Sequence, residues 1–203
     1  MAGFFLVLEG IDGSGTTTQA ARLAARFTAA GARVVQTCEP SRGPIGTHVR
    51  QLLRDGATGT PTDPGALALL FAADRLDHLA REVEPALAAG AVVICDRYVL
   101  SSLAYQGAFL DVDFVERINA RARRADLTVF VDVDVPTAAA RRAARGLPAD
   151  QYEVDELQAR VRRNYAAFAA RPALGDVRTV DGNGGMDDVE RTIWTAVETV
   201  WRA

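Results

Sequence analysis

The segment GIDGSGTTTQ, Gly10 to Gln19, spaces its glycines and hydroxyls as a phosphate-binding loop does, with one departure. In the pattern G-x-x-x-x-G-K-[ST], backbone N–H groups wrap the phosphates, a lysine reaches the β and γ oxygens, and the Ser/Thr hydroxyl holds magnesium. Gly10 and Gly15 keep the spacing and Thr17 fills the magnesium-ligand position, but Thr16 stands where the lysine belongs. Ile11, Asp12, Gly13, Ser14 and Thr18 complete the expected cradle. A second signal is ICDRYVLSSLAYQG, Ile94 to Gly107. Asp96 ends an apolar run and can hold magnesium through water, while Arg97 beside it can clamp a phosphate bidentately. The plainer alternative, an ion pair at a strand end, loses ground because the glycine loop is present.

Two further groups of residues share helix faces. Leu67, Phe71 and Arg75 lie at i, i+4 and i+8, so the ring and the guanidinium face one way. A flat ring suits base stacking and an arginine can donate to a base carbonyl; equally, Phe71 can be core and Arg75 the partner of a carboxylate. In RRAARG, Arg141 and Arg145 are four apart, with Arg142 between them and Gly146 and Pro148 following. This is either a cationic clamp on a mobile segment or a solvated basic helix face.

The elements that must position these groups follow from hydrophobic period. Strand-length apolar runs occur at 4–9, 33–37, 91–96, 127–133 and 177–181. Helical patterns alternate with them, including Thr17 to Ala30, Leu67 to Leu87 and Asp187 to Trp201. Pro/Gly-rich stretches at 40–46 and 56–65 are expected as loops. Alternation of strand and helix predicts an α/β fold, a mostly parallel five-stranded sheet with helices on both faces and ligands beyond the strands' carboxyl ends. No repeat or linker divides the chain, so residues 1–203 are expected to form one domain.

Composition narrows the class. The 203 residues are 49% hydrophobic and 24% charged with a formal charge of -3, which suits a soluble domain and gives no basic surface for nucleic acid. The apolar run near the N-terminus is interrupted at Glu9, too short for a signal peptide or membrane span, so a cytoplasmic location is expected. Cys38 and Cys95 have no C-x-x-C partner and are expected as buried small hydrophobes; His48 and His78 show no metal-ligand spacing and are assigned no chemistry. All 23 basic residues are arginine. With lysine missing from the whole chain, its loss at position 16 belongs to a general bias and does not by itself signal a lost activity.

The glycine loop with Asp12 inside it, "EP" after the second strand, "LFAADR" in a helix and "DRY..SS.AYQ" after the third strand occur in this order along essentially the entire chain. Together they resemble the thymidylate kinase family, in its bacterial form with an arginine-bearing lid. The resemblance implies a P-loop NTPase fold, transfer of the γ-phosphoryl of ATP to dTMP with Mg2+, and commonly a homodimer, for which Leu67 to Leu87 offers a surface. It implies that Gly10 to Thr18, Arg141 and Arg145 hold ATP, and that Thr17 and Asp96 hold magnesium. Asp12, Arg97, Arg141 and Arg145 would serve catalysis. Phe71 would carry the thymine and Arg75 read it, with Ser102, Tyr105 and Gln106 as the second wall. Asp12 would meet the 3'-hydroxyl, Glu39 and Pro40 would shape the pocket, and Arg97 would hold the acceptor phosphate with help from Arg50 or Arg42.

The mobile lid is expected around 141–155. It departs from the family pattern at DQYE, where Gln151 replaces an arginine. With Thr16, two cationic positions are therefore lost, and magnesium, Arg97 and the lid arginines are expected to supply the charge. Two other functions remain open at this level: a nucleotide kinase of different base preference, and a nucleotide-binding pseudokinase that lost catalysis with its lysine.

Overall fold

The computed structural model describes residues 3–145, 152 and 154–201; the side chains of 57, 58 and 145 lie outside that description. Each apolar run is a strand: β1 Phe4–Glu9, β2 Val34–Cys38, β3 Val92–Asp96, β4 Leu127–Asp132 and β5 Val177–Asp181. They lie in the order β2-β3-β1-β4-β5, and every pairing is parallel. Parallel neighbours need crossover connections, and helices supply them. α1 Thr16–Ala29 follows β1; α2 Pro44–Thr58, α3 Pro64–His78 and α4 Glu84–Ala88 follow β2. α5 Val99–Tyr105 and α6 Val112–Asn119 follow β3, α7 Val135–Arg145 and α8 Asp155–Ala169 follow β4, and α9 Met186–Glu198 closes the chain.

Helices cover the sheet on both faces, so its central strands are apolar throughout rather than alternating. β1 and β3 are buried at every position. Phe4, Leu6 and Leu8 share a core cluster with Leu23 and Phe27 of α1, whereas Phe5 and Val7 pack with Leu79, Val83 and Leu87. Register sets the chemistry at the carboxyl edge. Leu8 pairs with Asp96 and Asp96 with Cys38, so Glu9, Arg97 and Glu39 leave the sheet side by side.

Several local expectations change. The run from Leu67 to Leu87 is not one regular helix: α3 ends at His78, and Leu79–Val83 widens into a π-turn before α4. Pro85 gives the reason, since it has no N–H to donate and its ring crowds the carbonyl four residues back, which a wider turn relieves. The loops expected at 40–46 and 56–65 are shorter, because Pro44, with φ already helical, opens α2 and the helix runs on to Thr58. The last helix stops at Glu198, yet Trp201 still packs edge-on against Phe27, their centroids 4.9 Å apart. Cys95 is buried as expected, but Cys38 is only half-buried.

Candidate active site

The glycine loop is built by conformations that only glycine adopts cheaply. Gly15, at φ 91°, caps α1, and Gly13 has φ 93°. A Cβ at Gly13 would stand 2.3 Å from the Ala138 carbonyl oxygen, so the loop presses directly on α7 and leaves no room for a side chain. Thr16, Thr17 and Thr18 form the first turn of α1, where backbone N–H groups have no intrahelical acceptor and the helix dipole favours anions. They open into a cavity of about 640 Å³ lined by Ile11 to Gln19, Arg97, Arg141 and the glycines after β5. Arg97 and Arg141 are the cations among its described lining residues. Arg141 reaches in from α7 and donates to the Gly182 carbonyl at 3.0 Å and the Ser14 carbonyl at 3.4 Å. Thr16 is 5% exposed and brings no charge. The backbone of Arg145 ends α7, but its side chain, like Gln151 and the segment 146–151 of the expected lid, lies outside the described residues.

Thr17 donates its hydroxyl hydrogen bond to Asp96 Oδ2. The other carboxylate oxygen of Asp96 is buried with no hydrogen-bond partner among the described residues. A hydroxyl beside a carboxylate with an unused oxygen is an all-oxygen donor set, which fits Mg2+.

A second cavity, about 100 Å³, is lined by Asp12, Glu39, Pro40, Phe71, Arg75, Arg97, Ser102, Tyr105 and Gln106, with Leu53 and Tyr152 closing its sides. The sequence-predicted substrate residues thus come together, apart from Arg50 and Arg42. Arg50 does not line the cavity; its guanidinium is tied to the carbonyls of Pro40 and Ser41 in the turn before α2, and Arg42 is exposed. Gln106 is buried, and its Oε1 has no partner among the described residues. A third cavity, about 340 Å³, lies behind α5 and includes none of the glycine-loop residues.

Arg75 is 1% exposed, and a cation so buried must be paired. Its Nε donates to Glu39 Oε2 at 2.8 Å, and its terminal nitrogens donate to Ser102 Oγ, the Tyr98 carbonyl and Asn119 Oδ1. Of the alternatives open in the sequence, the carboxylate pairing is present, and Arg75 lines the cavity as well. His78, which had no assignable role, completes the network. Its Nδ1 is 3.1 Å from Glu39 Oε1 and its Nε2 is 2.8 Å from Thr37 Oγ1 and 3.2 Å from Glu82. Burial opposes a charge on His78, but the Glu39 hydrogen bond and the carboxylates of Glu39, Glu82 and Asp74 outweigh it and raise its pKa. The signal was the spacing Arg75 to His78, one turn on one helix face. Cys95 stands near Glu39 and His78. Arg75 already neutralises Glu39, which is hydrogen-bonded to His78, while the Cys95 thiol, its pKa pushed up by burial, donates to the Arg97 carbonyl at 3.0 Å, so these groups are committed to protein partners rather than arranged as a metal centre.

The two main cavities meet at Asp12 and Arg97, which line both. Arg97 NH2 donates to Asp12 Oδ1 at 2.6 Å, and the Tyr105 hydroxyl donates to Asp12 Oδ2 at 2.8 Å. Arg97 also donates to the Gly10 carbonyl at 2.8 Å. Its backbone has φ 72°, a left-handed conformation that costs a non-glycine residue about 1–2 kcal/mol. Glu9 holds the strained turn from beneath, accepting from the N–H groups of Tyr98 (2.9 Å) and Ser101 (3.1 Å) and from the Ser101 and Tyr165 hydroxyls. Burial raises the Glu9 pKa against these donors and the Arg97 charge, which lower it.

Comparison with known proteins adds an independent finding: the family model described as thymidylate kinase matches residues 8–193. The chain belongs to the thymidylate kinase family. It is 40% identical to the probable thymidylate kinase of Pyrococcus horikoshii over 98% of this chain and 97% of that protein. It is 43% identical to that of Pyrobaculum aerophilum over 82% and 83%, and 36% identical to the thymidylate kinase of Nostoc sp. over 95% and 94%. Family membership covers both cavities, since Asp12, Glu39, Phe71, Arg75, Arg97 and Arg141 all fall inside the matched span. Among the described residues no helix is long and apolar enough to cross a membrane.

Proposed function

We propose that this nucleoside monophosphate kinase transfers the γ-phosphoryl of ATP to the 5'-phosphate of dTMP, giving dTDP and ADP. The observation that carries the reading is the meeting of a phosphate cradle and a small aromatic-walled cavity at one shared pair, Asp12 and Arg97. ATP lies in the cradle, its phosphates on the loop N–H groups and its nucleoside toward Arg141. Thymine lies on Phe71, where its imide N–H faces Gln106 Oε1, which has no partner among the described residues. Ser102, held by Arg75, and the pocket walls Glu39 and Pro40 exclude wider bases. Asp12 meets the sugar hydroxyl while it holds Arg97 against the acceptor phosphate. Such a transfer is governed by positioning and charge neutralisation rather than by covalent chemistry on the protein. Thr17 and Asp96 hold Mg2+, which supplies charge neutralisation at the phosphate oxygens. Arg97 and Arg141 supply the cationic charge that Thr16 does not, with the segment 141–155 as the lid carrying Arg145; dTMP is the small-molecule partner.

An ADP-release assay with ATP, Mg2+ and dTMP, run beside dUMP, dCMP and dGMP on wild type and Thr16→Lys, tests this. Turnover dependent on dTMP in wild type is expected, with the Thr16→Lys ratio measuring how completely the missing charge is replaced. Nucleotide binding without turnover in wild type would overturn the reading in favour of a pseudokinase.

A further inference from the structure

α8 presents Gln158, Val161, Tyr165 and Phe168 on one buried face. Val161 and Phe168 are ordinary core side chains and Tyr165 turns its hydroxyl to Glu9 and Ser101; Gln158 is an amide with 0% exposure, at a position where leucine would pack without needing partners. Its bonds all lead to the edge of the candidate site. Gln158 Oε1 accepts from the N–H of Asp12 at 3.0 Å, and its Nε2 donates to Asp12 Oδ2 at 2.7 Å and to the carbonyl oxygen of Tyr152 at 2.8 Å. The partners fix the amide's orientation, since a flipped amide would set its NH2 against the Asp12 N–H.

Asp12 is also held at its carbonyl, where Arg142 of α7 donates at 2.6 Å while pairing with Asp155 at the start of α8. The helices that bracket residues 146–153 therefore both grip the residue on which the two cavities converge. Without the amide, the Asp12 N–H would lose its acceptor. Its carboxylate would keep Arg97 and Tyr105 among the described residues, and its side-chain tie to α8 would then run indirectly, through the 3.3 Å hydrogen bond from Arg97 to the Tyr165 hydroxyl.

We propose that Gln158 is a positioning residue: it fixes the Asp12 carboxylate in the orientation that holds Arg97 and meets the acceptor nucleotide, and it ties that orientation to Tyr152. The proposal rests on the role given to Asp12 above. Gln158→Glu keeps the size and the acceptor for the Asp12 N–H but sets a carboxylate oxygen against Asp12 Oδ2. Gln158→Leu removes all three bonds, two to Asp12 and one to Tyr152.

The test measures kcat/KM for dTMP and calorimetric dTMP affinity between pH 6 and 8 for wild type, both variants, Asp12→Asn, and Asp12→Asn/Gln158→Leu. At pH 8 Gln158→Glu should lose about 10- to 100-fold in kcat/KM, the scale of a hydrogen bond to a charged group. The loss relative to wild type should shrink toward pH 6 as the facing carboxylates share a proton, while that of Gln158→Leu stays flat. Arg97 and Tyr105, the other side chains on the Asp12 carboxylate, have pKa values raised above ordinary values that already lie outside this range. In the Asp12→Asn background, Gln158→Leu should cost less than about twofold more, because coupled residues are non-additive. A Gln158→Glu loss that does not change with pH, or full additivity in the double variant, would overturn the proposal and leave Gln158 a stabilising core residue. If the leucine variants do not fold, the pH profile of Gln158→Glu decides alone. Failure of wild type to turn over dTMP would strike the proposed reaction instead, and the dTMP affinities would still judge Gln158.

Discussion

Arg97 concentrates the chemistry of the site and pays for its place in backbone strain. A left-handed φ of 72° is kept because Leu8 accepts its N–H at 2.8 Å while Glu9 anchors the following turn. Strain of this kind persists where surrounding bonds over-determine it, and it is concentrated at functional sites. Two substitutions separate the side chain's contribution from the backbone's. Arg97→Ala and Arg97→Gly should both lower kcat by about 10²–10³-fold, the scale of losing one preorganised charge or donor. Arg97→Gly should nevertheless melt higher than Arg97→Ala, by about 1 kcal/mol of stability, because glycine tolerates the left-handed region. Steady-state kinetics and thermal denaturation on the same preparations check both; equal melting points would remove strain from the account.

Element by element, most of the architecture was legible in the sequence. The five strand-length runs became five strands within a residue or so at each end, because continuous apolar runs between helical patterns have few other solutions than a covered parallel sheet. Boundaries were less legible: Pro85 reshaped a helix locally, and Pro44 started one inside an expected loop. Of the site, the loop, Asp96 and Arg97 were picked out by local spacing, whereas spacing left Phe71 open between core and base platform and the family resemblance alone chose between them. His78, Asn119 and Gln158 were not, since their partners are 39, 44 and 146 residues away in the chain. His78 links α3 to β2, and this joint should depend on pH. Its folded pKa is raised above the unfolded value near 6.5. Its charge-linked stabilisation is therefore complete below about pH 6.5 and is lost as the pH rises through the folded value. His78→Gln should lower the melting temperature more at pH 6 than at pH 9; an equal or larger loss at pH 9 would remove the charge from this joint.

At the scale of the whole molecule, an exposed feature remains on α3. Leu69 and Leu76, two turns apart, are 51% and 38% exposed on a helix whose other face packs against the protein. We propose that this face pairs with a second copy, as the family resemblance implies. Sedimentation should show a dimer for wild type and a monomer for Leu69→Arg/Leu76→Arg; a wild-type monomer at micromolar concentration would reject it.

By itself the sequence determined the fold class, the phosphate loop and its missing cation, because hydrophobic period and glycine spacing act between neighbours in the chain. Only the tertiary structure decided that Arg50 stays outside the cavity lined by Phe71 and Arg75, that Arg75 is locked by Glu39 and Asn119, and that Asp12 is gripped from α7 and α8. Those outcomes depend on which buried polar groups find partners once distant segments meet, and hydrogen-bond satisfaction in a closed core leaves no periodic trace along the chain.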